Sequence, residues 1–247
     1  MAPRTRLAAA VTPLVVLLLL AGCTSSPGSD TPTSSPAPSA DGGGDLDDLE
    51  GTLLDDGRMF AVVTWGSSGC VPQVEDVSAE GQTVTVVLAD LLGDEDAEGE
   101  EKACTADYAP RASLGALPDG VDPTAEITLE VTYRDARGDV DLDGNPAFTG
   151  VPGTSTEYQP SAGWFDDEGL VLLTWGSSSC PPVVESVEGS GNAGTVTFVT
   201  QADQVCTMDI GPRGTIVSFG DSEIDDDDFT LTLSGGGLEG SVTVQRG

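Results

Sequence analysis

The chain has 247 residues, with 9 Lys+Arg against 42 Asp+Glu, a formal net charge of −33 and no histidine. That charge repels phosphate backbones and argues against a nucleic-acid partner. The lack of His excludes Ser-His and Cys-His nucleophile pairs, His-ligated zinc and imidazole acid–base chemistry.

Arg4 and Arg6 precede an apolar run from Leu7 to Leu20, interrupted only by Thr12 and Pro13. A basic start and a short apolar stretch predict a secretory signal over residues 1–22, since crossing a bilayer takes about 20 apolar residues. Leu20-Ala21-Gly22-Cys23 follows. These four residues resemble the lipobox of bacterial lipoproteins. The resemblance covers residues 1–23 and implies that Cys23 becomes the mature N-terminus, carrying a diacylglyceryl thioether and an N-acyl chain. Two or more acyl chains anchor a protein stably where one is marginal. The implied partner is therefore the lipid bilayer, and the implied location is the outer face of the cell membrane. Residues 24–45 contain only Thr, Ser, Pro, Gly, Ala and Asp. They cannot form a core, so a lipidated disordered linker is expected over 23–50, its 22-residue tract spanning roughly 25 Å as a coil.

The rest of the chain reads as one unit written twice. Thr64-Trp65-Gly66-Ser67-Ser68-Gly69-Cys70-Val71-Pro72-Gln73-Val74-Glu75-Asp76-Val77 recurs 110 residues later from Thr174 to Val187, with ten of fourteen positions identical. Thr83–Val87 matches Thr195–Val199 at an offset of 112, which then drops to 102 and places a ten-residue insertion in the first copy. At the shorter offset Cys104-Thr105-Ala106-Asp107 matches Cys206-Thr207-Met208-Asp209, and Pro110-Arg111 matches Pro212-Arg213. A repeat of this length predicts two homologous domains, 51–145 and 164–247, joined by a Pro- and Gly-rich linker at 146–163. Segments 60–65, 83–88, 127–133 and 139–143 are rich in Val, Leu, Ile and Thr, and most alternate apolar with polar. That period belongs to strands with one buried face. The expected fold is all-β: two tandem, small antiparallel sandwich or barrel-like domains of five to seven strands. The repeat resembles segments of secreted lipoproteins of high-GC Gram-positive bacteria, a resemblance that implies no activity.

Setting Cys23 aside, four cysteines remain, and the repeat selects one pairing of three. Cys70 with Cys104 and Cys180 with Cys206 put an equivalent disulfide in each copy, as suits an oxidising compartment. No CxxC spacing supports a metal-thiolate site.

Gly66-Ser67-Ser68-Gly69 departs from the G-x-S-x-G elbow of hydrolases and lacks a base, so it reads as a turn; Lys102 is the single lysine. Trp65 and Trp175 are expected to pack on the disulfides as core anchors. Asp139-Val140-Asp141-Leu142-Asp143-Gly144 resembles half of a calcium loop, but its twelfth position is Gly150 and the second copy has Ser241, Thr243 and Gln245 instead. The three Asp are therefore read as the solvated face of a strand. The acidic runs Asp94–Glu101 and Asp225–Asp228 fall at different places in the two copies and read as solvated loops. Glu75/Glu185, Asp107/Asp209 and Arg111/Arg213 recur. Scarce Arg kept in both copies implies a fixed partner, expected to be a bidentate salt bridge to one of those carboxylates. No catalytic residue, cofactor or metal set is assigned. The expected function is a non-enzymatic surface lipoprotein whose tandem domains bind a protein, glycan or small ligand. The alternatives are a hydrolase using surface carboxylates and a structural acidic envelope protein.

Overall fold

Alternation along Thr83–Ala89 does what its period requires. In the computed structural model Val84, Val86 and Leu88 are buried while the residues between them are not. Residues 46, 48–90, 104–201, 204–220 and 222–246 are described. The lipobox with Cys23, the acidic run 94–101 and Lys102 lie outside them.

The first half contains β1 (Glu50–Leu54), β2 (Met59–Gly66), β3 (Gln73–Glu80), β4 (Thr83–Ala89), β5 (Ala109–Ala116), β6 (Ile127–Tyr133) and β7 (Ala136–Leu142). The second contains β8 (Ser161–Trp164), β9 (Gly169–Gly176), β10 (Val184–Ser190), β11 (Ala193–Phe198), β12 (Gly211–Ser218), β13 (Thr230–Gly235) and β14 (Gly240–Gln245). The chain is all-β. In the first half the sheets run β1-β2-β5 and β3-β4-β6-β7. The same neighbour order recurs as β8-β9-β12 and β10-β11-β13-β14, here fused into one seven-stranded sheet because β14 pairs with β8.

The sheets are mixed rather than antiparallel as expected. β4 pairs parallel with β6, and β11 with β13. The reason is connectivity: after β4 the chain crosses to the other sheet as β5, and returns to lie beside β4 pointing the same way. Register also corrects the match between the halves. Thr83 faces Thr128 and Ala193 faces Thr230, so β4 corresponds to β11 at an offset of 110, not 112. A slip of two residues keeps every side chain on its own face, so alternation by itself cannot detect it.

Three apolar layers hold this arrangement. One fills the first half with Phe60, Val62, Val84, Val86, Leu129 and Val131, and another fills the second with Leu170, Leu172, Val196, Phe198, Leu231 and Leu233. The third lies between the halves and joins Leu54, Met59, Ala61 and Val63 to Phe165, Val171 and Leu173. β2 and β9 are thus covered on both faces, which explains why Met59–Val63 and Leu170–Leu173 carry no polar residue. The segment between β7 and β8 lies against the first half. Phe148 enters the first core, and Thr149 and Gly150 donate their backbone N–H to Asp56.

Candidate functional site

β2 and β9 each end in Trp-Gly and release the chain into a Ser-Ser loop that must be tied down without regular pairing. In the first half Cys70 is bridged to Cys104 with Cα atoms 5.4 Å apart, and in the second Cys180 to Cys206 at 5.7 Å. Three residues beyond the second Cys, a carboxylate closes the loop. Asp107 accepts the Ser68 N–H on both oxygens at 3.3 Å, and also the Thr105 hydroxyl. Thr105 Oγ1 accepts the Gly69 N–H at 3.1 Å and lies 2.8 Å from Ser67 Oγ. The second half repeats the clamp: Ser178 N–H donates to Asp209 at 3.2 Å, the Thr207 hydroxyl donates to the same carboxylate, and Ser177 Oγ lies 2.8 Å from Thr207 Oγ1. The threonine hydroxyl and then the serine donor hold the carboxyl of each aspartate down at about 2.

Among the described residues Arg111 and Arg213 pair with no carboxylate, contrary to expectation. Arg111 donates to the Cys70 carbonyl at 2.8 Å, and to the Trp65 carbonyl and Thr64 Oγ1, both at 3.2 Å. Arg213 donates to the Cys180 carbonyl at 3.0 Å and the Trp175 carbonyl at 2.9 Å. Neither forms an ion pair among the described residues. The reason is local: Trp65 and Trp175 sit near the ends of β2 and β9 and Cys70 and Cys180 in the loops beyond, so one guanidinium fork in each half reaches both carbonyls. Burial pushes the Arg213 pKa below its usual value. The glycine of Trp-Gly-Ser-Ser now has a cause. A Cβ at Gly66 would lie 2.7 Å from Arg111 Cζ, and one at Gly176 would lie 2.7 Å from Arg213 Cζ.

Glu75 and Glu185 are the bulged residues of β3 and β10, each skipped between two registered pairs and exposed. Trp65 meets Phe165 edge-on at 6.3 Å, at the margin of the layer between the halves. Trp175 meets Tyr158 at 5.1 Å and donates its indole N–H to the Gln159 carbonyl. The tryptophans therefore find their aromatic partners across or beside that layer. Asp139 and Asp141 lie on β7 with exposed side chains, and Asp143 is exposed just beyond it. Within Asp225–Asp228, Asp226 pairs with Arg246.

One feature escaped the sequence reading. Val205, Met208 and Ile210 flank Cys206 in the chain and are 94%, 102% and 69% exposed. The first half has the smaller Ala106 at the position of Met208, and Tyr108, 72% exposed, at that of Ile210. The signal was present in Cys-Thr-Met-Asp-Ile, whose alternation mimics a strand but belongs to a loop. Comparisons with family models, curated proteins and solved structures return no match.

Proposed function

We propose that this chain is a lipid-anchored protein of the outer membrane face, built from two homologous seven-stranded modules set back to back, and that it acts by binding rather than by catalysis. The recurrence of strand order, disulfide, Thr-x-Asp clamp and arginine in both halves supports common descent of the modules. Two disulfides in exposed loops support an extracytoplasmic location, since thiols stay reduced in the cytosol. No helix among the described residues is long and apolar enough to cross a membrane, so membrane attachment rests on Cys23 and its lipobox.

The observation that carries the binding reading is the apolar tip at Val205, Met208 and Ile210, held on a loop with a disulfide and a charge-assisted clamp. Three large apolar side chains fixed in water cost solvation free energy that a partner would recover, and a pre-stiffened loop loses little entropy when it docks.

Two experiments separate the anchor from the partner. Cys23→Ala should move the protein from the membrane fraction to the medium or leave it as an uncleaved precursor; unchanged, detergent-dependent fractionation refutes the anchor. A photo-crosslinking residue at position 208 on intact cells should give one discrete adduct, reduced at least tenfold when Val205→Ser and Ile210→Ser are added. An adduct pattern indifferent to those two changes refutes the tip as a binding surface.

A further inference from the structure

Between β1 and β2 the chain reverses through Asp55-Asp56-Gly57, and all three residues have positive φ, at 51°, 55° and 81°. Two consecutive non-glycine residues in the left-handed region require the surroundings to hold them there. Those surroundings are the segment leading into β8. Ser161 Oγ accepts the Asp55 N–H at 2.9 Å, Thr156 donates its hydroxyl to Asp55 Oδ1 at 3.0 Å, and Thr149 donates both N–H and hydroxyl to Asp56. The result is an aspartate only 5% exposed, with its second carboxyl oxygen, Oδ2, buried without a hydrogen-bond partner. The corresponding turn of the second half treats its aspartate differently. Sheet register aligns Leu54 with Phe165 and Asp55 with Asp166. Asp166 is exposed and accepts the Glu168 N–H at 2.8 Å, an ordinary turn cap in water. Burial of Asp55 is therefore produced by the segment lying over it.

That segment also reaches the other half. Two residues after Thr156, Tyr158 sits edge-on against Trp175, and the next carbonyl, Gln159, receives the Trp175 indole N–H. Tyr158 is itself held at φ 59° while 55% exposed. Residues 154–161 thus form a strap tied to Asp55 of the first half at Thr156 and Ser161, and to Trp175 of the second half at Tyr158 and Gln159 between them.

We infer that Asp55 is a proton-sensitive latch on this strap, closing it over Trp175 when the carboxyl is neutral and loosening it when the carboxyl is ionised. The groups facing Asp55 are few. The Thr156 hydroxyl on the strap favours the ionised form, and so does Arg58, which donates to the Asp55 carbonyl at 3.1 Å and lies 3.9 Å from Asp56 Oδ2. Asp56 on the same turn and Glu157 on the strap oppose it. Burial outweighs the rest, so the Asp55 pKa is raised above its ordinary value. With the strap open, Asp55 returns to an ordinary carboxylate. The closed form therefore binds the proton more tightly: closure is fully favoured below the open-state pKa of about 3.9 and weakens as pH rises through the closed-state value.

The test uses the full-length protein in detergent. Amide exchange of residues 154–161, corrected for intrinsic rates, is followed from pH 4 to pH 7.5 alongside quenching of tryptophan fluorescence. Protection should fall by up to tenfold for each unit by which the closed-state pKa is raised, and Trp175 should become more quenchable over the same interval. Asp55→Asn keeps the shape and suits the left-handed backbone; it should abolish the pH dependence and leave the strap protected throughout. Glu157→Gln should keep the pH dependence. Flat protection in the wild type, or an unchanged slope in Asp55→Asn, overturns the latch. Should Asp55→Asn fail to fold, the carboxyl carbon of Asp55 in the wild type decides by NMR: a midpoint above the ordinary aspartate value supports the latch, and one at or below it overturns it.

Discussion

Removing Arg111 should cost more than removing Arg213, and the reason lies in their burial. Arg111 is 7% exposed and fastens two carbonyls and one hydroxyl; Arg213 is half-buried and fastens two carbonyls. Replacement by Met keeps most of the stem volume but removes the donors. In the first half this strands the Cys70 and Trp65 carbonyls where water has little access, at about 1–3 kcal/mol for each orphaned group. Part of that loss is offset because the guanidinium is itself buried with no counter-ion among the described residues and with Nε unpartnered. The net expectation is about 2–3 kcal/mol for Arg111→Met. Arg213→Met should cost only about 1 kcal/mol, because water can reach the released carbonyls. Urea unfolding followed by tryptophan fluorescence measures both, and amide exchange of residues 67–72 against 177–182 localises the loss. If Arg213→Met is as costly as Arg111→Met, or if Arg111→Met shifts stability by less than 0.5 kcal/mol on the scale of ordinary surface changes, then the carbonyl-gathering role is wrong.

Two further outcomes follow from the same geometry. The carboxyls of Asp107 and Asp209 sit at about 2 in the closed clamp, so each clamp is complete above the ordinary aspartate pKa of about 3.9 and is lost as pH falls from there towards 2. Backbone amides of Ser68 and Ser178 should accelerate together in exchange over that window, and Asp107→Asn should remove the acid dependence at Ser68 alone. Gly115→Ala would place a Cβ 2.7 Å from Phe60 Cε1 inside the first core; overpacking of about 1–3 kcal/mol should appear in urea unfolding, and a neutral result would mean that Phe60 can shift aside.

Much of this molecule was legible before any coordinates. Val84-Thr85-Val86 and Leu129-Glu130-Val131 declare half-buried strands by their period, and the duplicated Trp-Gly-Ser-Ser-x-Cys segment leaves one sensible pairing of four cysteines. The uninterrupted apolar runs Met59–Val63 and Leu170–Leu173 also carried more than was drawn from them, because a strand without alternation is covered on both sides. What the letters could not supply was the identity of the cover. A sequence period reports how many faces of a strand are buried, whereas the packing partner depends on how sheets stack. Likewise the recurrence of Arg111 and Arg213 marked a fixed partner, but charge alone pointed to a carboxylate, while the acceptors the fold brings within reach are the carbonyls near the ends of β2 and β9.

Residue periodicity and duplication by themselves determined an all-β chain with two disulfide-closed loops, because alternation and cysteine spacing are local properties of the polymer. Only the tertiary structure decided the parallel pairs, the 110-residue register, the back-to-back packing of β2 and β9, and the burial of Asp55 beside an exposed Asp166. Each of these depends on a segment distant in the chain arriving at a particular place, and a carboxylate's environment is set by what lies over it rather than by the residues on either side.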